Sequence, residues 1–244
     1  EFLWKDMPGN RIPDNYTQTG IDRARLSSKS HWDVPIRVGA ETVHLLASHP
    51  TPPVFDDAVF DENGRRNADE IRFWGDYIDP DASDYIYDDA GRFGGLADGS
   101  RFVIVGDQNA DPLDGDSFPG ALDPLVANPR INNTQIPASA GGVEDAAIEG
   151  GPNDQHQGDP AWDTADFGSP GNLRVDYVLP SANLTIAESG VFWPTREQAY
   201  RSLVSTSDHQ LVYVDVVVPE PASGVYAVTA LLMCVLCGLG RENR

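Results

Sequence analysis

The chain has 244 residues, 38 Asp and Glu against 17 Lys and Arg, a formal net charge of −21 and a hydrophobic share of 40%. That is enough chain for one sizeable packed core. The acidity argues against a protein that grips long nucleic-acid duplexes through a basic face. Phosphoesters are not excluded as ligands, because a bound divalent cation can supply positive charge locally.

Glu1 to Gly20 reads as an irregular loop, with Trp4, Pro8, Gly9 and Pro13, and has neither the basic start nor the apolar core of a signal peptide. His31 to Val38 predicts a strand at a sheet edge or bulge, since Pro35 cannot donate to a ladder. Thr42 to Ser48 predicts a strand with His49 at its end, and a Pro- and Asp-rich loop follows from Pro50 to Gly64. Arg66 to Ile78 predicts a helix, with Asn67 as N-cap, Glu70 three residues on, and Ile71, Trp74 and Ile78 on one stripe.

Arg101 to Gly106 predicts a short strand with no polar face, covered on both sides. Asn128 to Gly171 is long, rich in Gly, Pro, Asn and Asp, and reads as a loop of functional or mobile character. Arg174 to Leu179 and Leu211 to Val218 are the remaining predicted strands. There is no internal repeat and no second globular domain.

Polar residues cluster at the ends of these runs. Asp107 and Asn109 follow the Arg101–Gly106 run, where a rigid sheet positions them and a loop exposes them. Asp176 interrupts an apolar run, a costly place for an unpaired charge. Ser207-Asp208-His209 directly precedes the last strand. Asp107 and Asn109 could instead form an Asx-turn. With Asp111 they have EF-hand spacing, but Pro112 stands where that loop needs glycine and no Glu occupies its twelfth position. His156 lies on the long loop and reads as structural; Arg65 and Arg66 read as solvating the helix start.

In order, Ser48-His49-Pro50, Gly106-Asp107-Gln108-Asn109, the Asp176 strand and Ser207-Asp208-His209 resemble the endonuclease/exonuclease/phosphatase superfamily, over about Ser28 to Val217. The resemblance implies an α+β fold, a four-layer α/β/β/α sandwich of two mainly antiparallel sheets, for a domain spanning residues 1–217. It implies a phosphoric ester hydrolase dependent on Mg²⁺ or Mn²⁺. Asp107 would orient or deprotonate the attacking water and contribute to metal binding, and Asn109 would donate to phosphoryl oxygens. His209 would contact the scissile phosphate, Asp176 would hydrogen-bond His209, Asp208 would help hold metal, and His49 would donate to a phosphate oxygen. The family's principal glutamate ligand has no equivalent before His31. With the missing signal peptide, this predicts an amino-terminally truncated chain whose first sheet is incomplete.

Val218-Pro-Glu-Pro221, an uncharged stretch from Ala222 to Gly240 and a terminal Arg241-Glu-Asn-Arg244 form the tail, residues 218–244. The stretch approaches the ~20 residues that span a bilayer, and the arginines after it favour a cytoplasmic C-terminus. Cys234 and Cys237 lie inside it and read as small apolar residues of a membrane helix. The three parts resemble a PEP-CTERM sorting signal, which implies an exosortase-like processing partner, transient membrane anchoring and delivery to the cell surface. The expected function is an exported phosphoesterase acting on a phosphomonoester or phosphodiester, with no stable nucleic-acid complex. The rivals are an inactive relative serving as a surface binding module and an extracellular nuclease.

Overall fold

The computed structural model describes residues 1–218, so the predicted membrane helix and sorting signal lie outside the described residues. The fold is α+β, with sheets flanked by helices. Strands β1 (His31–Val38), β2 (Glu41–Ser48), β3 (Arg101–Asp107) and β6 (Asp176–Pro180) form one sheet in the order β1-β2-β3-β6. The β1–β2 and β3–β6 pairs are antiparallel and β2–β3 is parallel. Two two-stranded pairs complete the strands among the described residues: the short β4 (Ala165–Asp166) with β5 (Asn172–Leu173), and the longer β7 (Thr185–Phe192) with β8 (Leu211–Val217). The helices are α1 (Gln18–Ile21), α2 (Glu62–Tyr77), α3 (Asp123–Val126) and α4 (Ala140–Glu149).

Period-2 alternation decides what each face of the large sheet meets. Leu46, Phe102, Ile104, Tyr177 and Leu179 point inward and pack with Ala68, Ile71 and Trp74 of α2 in one core. The other face carries Val103, Val105 and Val178, only half-buried, and Trp32, Val34, Ile36 and Val38, which are exposed. The expectation that the Arg101–Gly106 strand is covered on both sides therefore holds for one face only among the described residues. β1 is an edge strand, as Pro35 required.

Four local readings need correction or amendment. α2 begins at Glu62 after Asp61, and Asn67 is no cap: it is fully buried inside the helix, and its Nδ2 donates to the carbonyls of Thr51 and Gln108 at 2.8 Å each. The Asn128–Gly171 segment is not structureless, since it contains α4, capped by Ser139 Oγ accepting from Gly142 N, and strand β4. Residues 1–20 have little regular structure yet join the core through Trp4 and Met7. Trp4 Nε1 donates to the buried Asp69 carboxylate at 2.7 Å, which also takes the Arg11 backbone N–H at 2.6 Å. Arg66 does more than solvate a helix start: its guanidinium donates to the carbonyls of Arg25 and Leu26, strapping that chain to α2.

Candidate active site

Asp107 ends β3 and Asp176 begins β6, and the two are direct partners in the antiparallel register. Side chains of such a pair leave the same face of the sheet, and like charges placed there repel. Two carboxylates therefore face each other on the half-covered side of the sheet, and something positive must stand beside them. His209 does so. Its Nδ1 lies 2.8 Å from Asp176 Oδ2, and one ligand atom from each of Asp107, Asp176 and His209 lies within 4.8 Å of the others.

Local structure explains how His209 arrives there. It sits just before β8, and the segment holding it is laid against β4 by an Ala165–His209 bridge, by Asp166 N donating to the Asp208 carbonyl at 2.8 Å and by Gln210 N donating to the Thr164 carbonyl at 2.7 Å. Thr164 Oγ1 also accepts from the backbone N–H groups of Val175 and Asp176, so one residue ties both halves of the dyad together. Phe167 meets the imidazole edge-on at 5.5 Å.

On the neighbouring strand, His49 leaves the end of β2 and brings Nε2 to 3.4 Å from Asp107 Oδ2. Gly106 allows β2 and β3 to close up at this point: its φ is 130°, and a Cβ there would stand 2.0 Å from the Ser48 carbonyl oxygen. Asn109 donates its backbone N–H to Asp107 Oδ1 at 2.7 Å, so the Asx-turn is present. Asn109 Nδ2 donates to the Pro50 carbonyl at 3.1 Å, joining the β3 loop to the β2 loop.

The charges respond to this crowding. Asp176, through its hydrogen bond and then its charge, pushes the His209 imidazole up to about 9, so the ring is cationic at neutral pH. With Nδ1 donating to Asp176, Nε2–H is left as a second donor. Burial raises the Asp107 carboxyl above the usual carboxylate value, and the Asp176 charge adds to this against the opposing pull of the Asn109 N–H and both imidazoles.

Asp107, Asp176, His209, His49 and Asn109 are thus brought together. Asp208 is exposed and outside the three-residue group, with its backbone rather than its carboxylate tied into the fold. His156 is held at Pro170 through Nε2, as a structural reading expects. The sequence reading missed the support: Gln108, fully buried, whose carbonyl is held by Asn67, and Thr164. Nothing local distinguishes such residues from ordinary loop polar groups. A groove of about 890 Å³ runs along β1, past Trp32, Tyr77 and Tyr87, away from this cluster, so cavity size does not locate the chemistry.

The donor chemistry suits a hard divalent cation in part. Two carboxylates are a common share of a Mg²⁺ shell, the rest being water or phosphate oxygens. The cationic His209 is a poor ligand, because its nitrogens carry protons. Asp107 is the better placed ligand, since Asp176 is engaged by His209.

A family model described as the Endonuclease/Exonuclease/phosphatase family matches residues 2–209. No curated protein matches the chain in sequence. Similar solved structures include an endonuclease/exonuclease/phosphatase family protein from Leptotrichia buccalis C-1013-b, at 13% identity and a TM-score of 0.40, covering 76% of this chain and 52% of that one. Another is beta toxin 275-280 from Staphylococcus aureus, at 12% identity and a TM-score of 0.43, covering 80% of this chain and 59% of that one. The chain thus spans between half and three-fifths of these proteins. With 208 of its residues inside the family match, this chain belongs to the endonuclease/exonuclease/phosphatase family, which includes metal-dependent phosphoesterases and nucleases.

Proposed function

We propose that the chain supplies the catalytic edge of a phosphoesterase dependent on Mg²⁺ or Mn²⁺ that hydrolyses a phosphomonoester or phosphodiester. The observation that carries this reading is the His209–Asp176 dyad set beside Asp107 on one sheet edge. His209, cationic and oriented by Asp176, donates Nε2–H to a non-bridging phosphoryl oxygen and stabilises the charge that builds there. Asp107 accepts a proton from the attacking water or orients it, and His49, 3.4 Å from that carboxylate, reaches the same phosphate. Asn109 donates to a phosphoryl oxygen with the amide hydrogen that Pro50 does not take. Asp107, joined by Asp208, would hold the divalent cation, which would supply Lewis-acid charge neutralisation there.

Two wider parts of the proposal rest on other features. A second sheet stacked on the first in a four-layer sandwich is supported by the apolar outer face of β1, with Trp32 62% exposed. Export and surface delivery through an exosortase-like enzyme rest on the tail sequence. The net charge of −21 favours substrates with one engaged phosphate over a long duplex.

The test uses the full-length gene product with bis-p-nitrophenyl phosphate and p-nitrophenyl phosphate. Hydrolysis of one of them in Mg²⁺ or Mn²⁺, abolished by EDTA and restored by metal, is expected. No hydrolysis of either, or hydrolysis indifferent to chelation, contradicts the proposal.

A further inference from the structure

A second acidic group includes a residue of β4, the strand against which the His209 segment is laid. Asp145 and Glu149, one turn apart on α4, and Asp166 on β4 bring one oxygen each within 4.8 Å of one another. A cluster of carboxylates needs no ligand if its members are solvated or paired, and here they are not all so. Asp145 is 6% exposed; Arg201 takes its Oδ1 at 3.1 Å, while Oδ2 is buried without any partner.

Asn172 adds an independent observation. It is fully buried, and neither its Oδ1 nor its Nδ2 has a partner. It faces Asp166 directly in the antiparallel β4–β5 pair, and such partners project from the same face with Cβ atoms about 4.5–5.5 Å apart. A buried polar atom left unpaired is costly, and the two unpaired oxygens, Asp145 Oδ2 and Asn172 Oδ1, beside the Glu149 and Asp166 carboxylates indicate a missing positive partner that several oxygens can share, while the Asn172 amide N–H groups call for an acceptor such as a water. Water would satisfy the amide but would leave the carboxylates repelling.

We propose that Asp145 Oδ2, Glu149, Asp166 and Asn172 Oδ1 bind a calcium ion, separate from the catalytic cluster. An all-oxygen set of three carboxylates and an amide carbonyl, drawn from a helix and a strand pair with no fixed octahedral frame, matches the tolerant coordination of Ca²⁺ better than the strict shell of Mg²⁺. The ion would pin α4 to the β4–β5 pair. Because Asp166 N holds the Asp208 carbonyl and Ala165 bridges His209, it would also steady the chain that positions the imidazole.

The test measures Ca²⁺ binding and thermal stability of the full-length protein by calorimetry. The wild type and the catalytic-cluster variant Asp107→Ala should both bind Ca²⁺ at this site and melt at higher temperature with it. Glu149→Gln should bind on the order of tenfold or more weakly, since ligand charge sets affinity, and should melt in EDTA like the wild type, because Glu149 is exposed. Asp166→Asn provides a second variant with the same expected loss. Calcium binding unchanged in both Glu149→Gln and Asp166→Asn, or absent from Asp107→Ala and the wild type, would overturn the site.

Discussion

His209 Nδ1 lies 2.8 Å from Asp176 Oδ2, joining two residues 33 positions apart in the chain. Asp176 is at the same time the cross-strand partner of Asp107. The imidazole thus serves two needs at once: it offsets a like-charge pair on the sheet, and it gains a charge and an orientation suited to a phosphate.

Asp176→Asn should return the His209 imidazole from about 9 towards its ordinary value near 6.5, because the bonded carboxylate is the main cause of the rise. The raised value means that the folded state binds the extra proton. The stabilisation is therefore full below about 6.5 and is lost as pH rises through about 9. The variant should lose melting temperature at pH 6 and differ little from the wild type above pH 10. NMR titration of the His209 ring checks the first part, and an unmoved titration contradicts it.

The pH–rate profile of hydrolysis should be bell-shaped. The rate rises as Asp107 ionises, a carboxyl that burial and then the Asp176 charge raise above its usual value in the metal-free protein. It falls as His209 loses its proton near 9. A rate that keeps rising through pH 10 would remove His209 from the role of donor.

Asp163→Asn should make stability less sensitive to pH. Burial, followed by the charges of Asp111, Asp114 and Asp159, pushes the Asp163 carboxyl up to about 7. A carboxyl raised on folding contributes stability below its unfolded value, and that contribution is lost as pH rises through about 7. The amide mimics the protonated form, so the melting temperature of the variant relative to wild type should climb between pH 5 and pH 8. An equal difference at both pH values would contradict this.

Gly106→Ala should destabilise the fold by more than about 1 kcal/mol, since a residue with φ of 130° takes a side chain only under strain. The added Cβ meets the Ser48 carbonyl, so β2 and β3 must part and Asp107 must move from His49. Urea denaturation with a loss within about 0.5 kcal/mol, the range of neutral surface changes, would contradict the reading.

Strands β2, β3 and β8 were legible because each is a largely apolar run flanked at one end by polar residues, and the Asp176–His209 pair was legible through the family resemblance. The start of α2 was not. Asn67 has the chemistry of a cap, but its amide is used to bridge Thr51 and Gln108, a long-range bond that no local pattern announces. α4 was hidden by Gly141 and Gly142, poor helix formers. Their reason is tertiary: a Cβ at Gly141 would stand 2.0 Å from the Trp193 carbonyl oxygen, and one at Gly142 would stand 2.5 Å from that of Pro160. Ser139, three residues before Gly142, was the available signal for that helix start. Asp145 and Asp166 could not be connected at all, since their approach depends on how α4 lies relative to β4.

The most direct measurement compares the full-length protein with His209→Ala and Asp107→Ala in saturating Mg²⁺, at the same folded concentration. Each variant should lower kcat by about a hundredfold or more, the usual loss when an acid–base or charge-stabilising group is removed, while circular dichroism stays unchanged. Hydrolysis by both variants at the wild-type rate would contradict the assignment of this sheet edge as the catalytic site.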